Sequence, residues 1–415
     1  MPATLRIALR FLTARGRAMA MSLTGVACGV AFFVLTQAQT AGFERFFIET
    51  ILGTDGALRV EDRVQDTSVK IAVTAEGGGP AGEYEAESRR YVSGIEHPAR
   101  VVQALREFPE VTGVSVVLQG GATARSRTST DNARVFGIAL DDHLAVSALG
   151  RQIVAGDLAT FRQSPTGVLV GSVLAGRLGV AVGDTLLLES AGQVRRYQVS
   201  AVFETGVGEI DRARLLLHLP EARSLLKRPT GASFVQVSLR DPAQAPAQAA
   251  QMMRALVHTV SPWQVRERTW LEVFRALRYS SAVTVSTIII ISGVGMFNTL
   301  AMLVIEKTRE IAILRSMGYT RADILAVFLW LGGLVLVAGA ILGCLGGALA
   351  TWGVSNLPLR IRGIFSTNSF VVAWSVWHYV AAVGTAAVVV TAASLIPARR
   401  AARLEPGDVI RGNAP

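Results

Sequence analysis

Charge is scarce in this chain and histidine scarcer: Asp, Glu, Lys and Arg make up 17% of 415 residues, beside five histidines and two cysteines. Each shortage closes a class of function. The histidines His97, His143, His218, His258 and His378 have no partner at helical i+4 spacing and none sits in an H-E-x-x-H setting, so metal-ligand and general-base patterns are missing. Cys28 and Cys344 both fall inside apolar runs and read as small packing residues, not as a disulfide or a metal clamp. There is no G-x-S-x-G elbow, and no glycine precedes a lysine, so no G-x-x-x-x-G-K-[ST] loop exists to cradle a nucleotide. The sequence thus offers no catalytic group, metal site or cofactor site of its own, and any ATP and Mg it depended on would have to be bound by another chain.

What the chain has in excess is apolar surface. Hydrophobic residues make up 51% of it, and the mean hydropathy is +0.41. A bilayer core about 30 Å thick takes roughly 20 mostly apolar residues to cross as a helix, because every backbone group must then be bonded internally. Four stretches qualify, at 18–40, 281–305, 324–353 and 372–396, and between the first two lie some 240 residues of soluble composition. The basic N-terminus followed by an apolar run could be a cleaved signal, but the run is long and no clean A-x-A site follows, so it reads as a retained anchor.

The net charge of +10 is a matter of topology, not of nucleic-acid binding. Arg6, Arg10, Arg15 and Arg17 precede the first span, Lys307, Arg309, Arg315 and Arg321 lie between the second and third, and Arg399, Arg400, Arg403 and Arg411 follow the fourth. The loop between spans three and four holds only Arg360 and Arg362. Positive residues beside spans accumulate on the cytoplasmic side. Residues 1–17, 306–323 and 397–415 are therefore expected inside, and 41–280 and 354–371 outside. No cluster interleaves aromatics with arginine as a nucleic-acid surface would.

Residues 41–280 read as mixed α/β. ALRVEDRV (57–64) and VTGVSVVLQG (111–120) alternate like strands, HPARVVQALREF (97–108) is an amphipathic helix, and GVLVGSVLAGRLGVAVGDTLLLES (167–190) reads strand, helix, turn, strand. AEGGGPAGEYEAESRR (75–90) has no periodicity and is expected to be a solvated, mobile excursion. The first and last pieces are expected to form one unit, with a strand-rich lobe inserted near 140–230.

The stretch EKTREIAILRSMGYTRADI (306–324) interrupts the apolar runs with a helical, charged segment. Ile311, Leu314 and Met317 make an apolar ridge flanked by Arg309, Glu310 and Arg315, Gly318 supplies a left-handed stop, and Thr320 with Asp323 forms a capping box for the next helix. Such a segment suits either the lipid headgroups or a groove on a cytoplasmic protein.

One span, a large external domain and three further spans, with EKTREIAILRSMGYTRADI after span two and IPARRAARLEPGDVIRG after span four, together resemble the FtsX-like permeases of the ABC transporter superfamily. The layout is most similar to the lipoprotein-releasing branch, whose permeases lack a fused ATPase. The resemblance implies a type VII, MacB-like architecture: four transmembrane helices plus an extracytoplasmic α/β domain, in a bacterial inner membrane. It implies that 309–319 is a coupling helix seated on a cytoplasmic ABC ATPase dimer, and that a second permease chain, identical or different, completes the assembly. A periplasmic adaptor or lipoprotein carrier is a further implied partner. Release of lipoproteins or other amphiphiles, MacB-like export and FtsX-like signalling to an external hydrolase all remain open at this point.

Within the spans, Gly25 and Gly29, Gly339 and Gly343, and Gly343 and Gly347 form G-x-x-x-G pairs that allow helices to approach closely, within one chain or between two. Asn298 is strongly polar inside span two and is expected to bond to a neighbouring helix. Trp352, Trp374 and Trp377 bracket the outer loop as expected interface anchors.

Overall fold

The computed structural model describes residues 3–14, 16–63, 68–73, 82–87, 93–357 and 370–403, and divides the chain into two compact units. The first comprises Met1–Arg45, Glu272–Leu359 and Asn368–Pro415; the second comprises Phe46–Leu271 and Arg360–Thr367. The arginines of the outer loop and the tail 404–415, with its Pro406 and Arg411, lie outside the described residues.

Among the described residues, four helices are long and apolar enough to cross a membrane: Gly16–Asp55, Arg268–Glu306, Arg321–Ser355 and Val376–Arg403. Three of them run past the apolar windows read from the sequence at both ends, and the fourth runs past its window at the C-terminal end while starting later, at Val376. A helix continues wherever its backbone ladder is unbroken, whereas hydropathy marks only its lipid-facing part. Their shared core holds Val26, Val30, Ile289, Met296, Leu300, Phe328, Leu331 and Val390, all buried. A further helix, Ala3–Ala14, lies where the sequence reading had only a basic segment, and it buries Ala8 and Phe11 in the same core.

The glycine pairs sit at crossings inside this bundle. An added Cβ at Gly25 would lie 3.0 Å from Ser292 Oγ, and one at Gly29 would lie 2.9 Å from Ile289 Cγ1, so the first span meets the second there. Gly339, Gly343 and Gly347 on the third span face Val26, Val30 and Val34 on the first, at 2.9, 2.7 and 3.0 Å. Gly332 meets Ser394, which joins the third span to the fourth. These contacts are all within one chain.

The second unit carries strands β1 (Leu58–Arg63), β2 (Ser68–Val73), β3 (Gly82–Glu87), β4 (Val111–Arg125), β5 (Thr130–Ile138) and β6 (Ile153–Gly156). It continues with β7 (Gly167–Gly171), β8 (Thr185–Ser190), β9 (Gln193–Phe203), β10 (Arg214–His218), β11 (Phe234–Leu239) and β12 (His258–Pro262). All but β2 and β3 join one mixed sheet in the order β12-β1-β11-β4-β5-β10-β7-β9-β6, with β8 bridging β4 and β9.

The middle stretch therefore shares its sheet with the flanking pieces: β10 runs parallel to β5, with Arg214 beside Arg134. The two regions differ instead in their cores. Leu58, Val60, Val101, Leu105, Val235 and Val260 pack in one, and Val135, Val170, Leu174, Leu186, Leu215 and Leu225 in the other. A second difference concerns 75–90. Residues 82–87 form β3, antiparallel to β2 with Ser68 opposite Glu87, although the flanking Gly and Pro obscure the alternation G-E-Y-E-A-E in the sequence. The remainder of that stretch lies outside the described residues.

Candidate functional site

The second span ends at Glu306, Lys307 leaves helical geometry, and a new helix runs from Thr308 to Ser316. Thr308 Oγ1 donates to Val304 O at 2.8 Å and closes the junction. Lys307 Nζ pairs with Glu310 and lies 5.8 Å above the Phe11 ring, so the N-terminal helix supports this corner. At the far end Gly318 adopts φ +100, Tyr319 N donates to Leu314 O at 3.2 Å, and the reciprocal bonds between Thr320 and Asp323 start the third span. Nothing lies within 4 Å of a Cβ built on Gly318, so backbone conformation and not crowding calls for glycine there.

This helix has two faces, and they do not divide as the sequence reading expected. Ile311 and Ala312 are each 1% exposed, and Ile311 lies inside the core that contains Leu303, Ile324, Ala398 and Ala401. Leu314 is half-buried against the same core, and Arg315 Nη1 donates to Ala402 O at 3.3 Å. Met317 is 73% exposed and Ile313 51%, with Arg309 and Glu310 exposed beside them. Ile311, Leu314 and Met317 are thus not one ridge: the first two are packed within the chain. The i, i+3, i+6 spacing drifts by about 60° at each step and about 120° from end to end, since each residue turns 100°, and that drift carries Met317 to the open side. The surface a partner would meet is Arg309, Glu310, Ile313 and Met317.

Asn298 also departs from expectation. It is exposed on the second span and has no hydrogen-bond partner among the described residues. Trp352, Trp374 and Trp377 are exposed as well.

A second polar assembly lies inside the second unit, and the sequence reading did not single it out. Asp55, the last residue of the helix Gly16–Asp55, accepts from Arg214 Nη1 at 3.0 Å, Gln236 Nε2 at 3.2 Å and Arg59 Nη2 at 3.3 Å. The Arg59 and Arg214 guanidiniums stack over Phe234 and Phe136, at 4.1 and 4.3 Å from the ring centroids. A buried carboxylate with this many donors is satisfied, and its partners come from β1, β10 and β11. His143 is buried nearby, with Nδ1 3.4 Å from Ser115 Oγ. Burial, and then the positive charge of Arg214, pull its pKa from 6.5 down to about 4, partly offset by Asp55. The only hint in the sequence was polar residues at alternate positions, such as Arg59 between Leu58 and Val60.

Among the described residues, no three of His, Cys, Asp and Glu lie together as a metal site would require. Residues 19–256, more than half of the chain, match the MacB-like periplasmic core domain, and 282–406 match the FtsX-like permease C-terminal family. The chain belongs to the FtsX-like, MacB-type permease family. It is a transmembrane permease of the ABC transporter type, with four apolar helices and a mixed α/β domain of the periplasmic core kind. In this FtsX-like permease the helix Thr308–Ser316 falls within the matched C-terminal region.

Its relatives include the lipoprotein-releasing system transmembrane protein LolC of Xylella fastidiosa, 26% identical over 445 aligned residues that cover 99% of each chain. LolE of the same system in Haemophilus influenzae is 24% identical, over 94% of this chain and 93% of its own. The macrolide export ATP-binding/permease protein MacB of Acinetobacter baylyi is 24% identical over 73% of this chain, but only 46% of MacB is covered.

Proposed function

We propose that this permease transmits ATP-driven motion from a separate cytoplasmic ATPase dimer to its external domain, and that it thereby extracts a lipoprotein or similar amphiphile from the inner membrane. The observation that carries the reading is the two-faced helix Thr308–Ser316. Arg309, Glu310, Ile313 and Met317 are open to a partner, while Ile311, Leu314 and Arg315 tie the same helix to the bundle. A push on the open face is delivered to the ends of the second, third and fourth spans. Gly318 and the Thr320 cap keep the helix and the third span as distinct rigid pieces.

Transmission requires that the ATPase hold one arrangement of the permease more tightly than another, since a ligand shifts an equilibrium only by its differential affinity. The helix Gly16–Asp55 continues unbroken from the first span into the external unit, where Asp55 is clasped by Arg214, Gln236 and Arg59. A second permease chain completes the assembly, and the exposed Asn298 is available to it.

Support for a lipoprotein over a macrolide comes from the relatives: LolC aligns with 99% of this chain and LolE with 94%, against 73% for MacB. The test reconstitutes the permease with its ATPase and a lipid-modified protein, and follows ATP-dependent transfer of that protein into the soluble fraction. Transfer that requires both ATP and the permease is expected; ATPase activity indifferent to the permease would overturn the proposal.

A further inference from the structure

The external unit holds a basic cavity that no part of the transmission reading uses. Ile95 and Ala232 pair through mutual backbone hydrogen bonds of 2.7 and 2.9 Å, so the segments around 93–100 and 223–231 run side by side. Gly94 at φ +93 and Gly231 at φ +80 allow that close approach, since a Cβ on Gly231 would lie 2.9 Å from Ile95 O. Beyond the bridge the segments diverge, one into the start of the helix Pro98–Arg106 and the other from the end of the helix Leu219–Leu225. Between them is a cavity of about 890 Å³.

Its charge is one-sided. Among the described residues, Arg100, Arg223, Lys227 and Arg228 line it together with His97, against a single carboxylate, Glu96. Among the described residues none of the four permanent cations forms an ion pair, in contrast to Arg195, which pairs with Glu221 close by in sequence to Arg223. Arg228 Nη2 donates to Ser93 O at 2.8 Å, which holds its guanidinium at the wall, and Arg223 Nε is buried without an acceptor. Lys227 occupies a left-handed backbone position, φ +52, which glycine would adopt more cheaply. A lysine kept there points to a use for its charge.

Like charges gathered in a concavity raise each other's potential and concentrate counter-ions. The volume falls within the range of about 300–1,000 Å³ typical of small-molecule sites, not of flat protein interfaces. Guanidinium forks match phosphate oxygens in pairs, and lysine adds a mobile point charge. The apolar part of the lining comes from Ile95, Ala99, two prolines and the side-chain stems of the basic residues, and the charged ends of those residues suit a phosphate-bearing group.

We propose that this cavity binds a phosphate group, carried either by a soluble phosphate monoester or by a phospholipid headgroup. The test titrates the full-length permease in mild detergent with inorganic phosphate, and with chloride at matched ionic strength, by calorimetry. Saturable phosphate binding that chloride does not reproduce is expected. Arg100→Glu should weaken it about tenfold or more, the loss of a charge-assisted contact. Lys227→Gly should also weaken it while melting at no lower temperature than the parent, because the substitution relieves the left-handed strain; a folding defect is thereby separated from a binding defect. Competition with glycerol 3-phosphate and with glycerophosphoglycerol, the deacylated form of a phospholipid, distinguishes a soluble monoester from a lipid source. No saturable phosphate binding, binding equal in parent and both variants, or displacement by neither competitor would overturn the proposal.

Discussion

Arg214 Nη1 donates to Asp55 Oδ1 at 3.0 Å across 159 residues of sequence, and joins the end of the helix that begins as the first span to the centre of the external sheet. Both partners are buried, with side chains 10% and 11% exposed. Removal of one partner leaves the other charged and desolvated.

Asp55→Ala is therefore expected to destabilise the external unit by about 3–5 kcal/mol, the cost typical of a buried pair broken from one side. Denaturant unfolding followed by Trp263 and Trp270 fluorescence measures this. A midpoint unchanged from the parent would remove Asp55 as an anchor.

His143 makes stability depend on pH. Its folded pKa, about 4, lies below its unfolded 6.5, so the unfolded chain binds more protons between these values. Its contribution is complete above pH 6.5 and is lost as pH falls toward 4, on the order of 3 kcal/mol in all. His143→Gln should flatten that part of the stability-against-pH curve. A slope that persists in the variant would locate the titration elsewhere.

At the crossing of the first and third spans, a Cβ on Gly343 would lie 2.7 Å from both Ala27 O and Val30 Cβ. Gly343→Val should lower the melting temperature in detergent, with an overpacking cost of about 1–3 kcal/mol. Gly333 has nothing within 4 Å, and Gly333→Ala should be neutral or stabilising by about 0.5–1 kcal/mol of helix propensity. Equal effects at the two positions would contradict the helix contact.

The two faces of Thr308–Ser316 separate folding from docking. Met317→Asp should leave the melting temperature unchanged and weaken ATPase co-purification, by about 1–3 kcal/mol if Met317 is an interface anchor. Ile311→Asp should destabilise the bundle itself, because its side chain has no route to water. Full ATPase retention by the Met317 variant would exclude this face as the dock.

Much of the architecture was written in patterns of short range. The apolar runs, the strand alternation at 57–64 and 111–120, the Gly318 stop and the Thr320 cap each depend on residues a few positions apart, and such signals survive without a fold. The helix Ala3–Ala14 was missed although Ala8 and Phe11 lie three residues apart on one helical face, because the basic residues around them drew the reading toward topology.

By itself the sequence determined that the chain carries four apolar runs long enough to cross a membrane as helices, and that a charged helix separates the second and third of them, since hydropathy and helix propensity are local properties. Only the tertiary structure decided which side of that helix is free, that the glycine pairs close crossings within one chain, that the sheet is continuous through 140–230, and that Asp55, Arg214 and His143 meet. Those outcomes depend on packing and on charges brought together from more than a hundred residues apart, for which a linear pattern carries no signal.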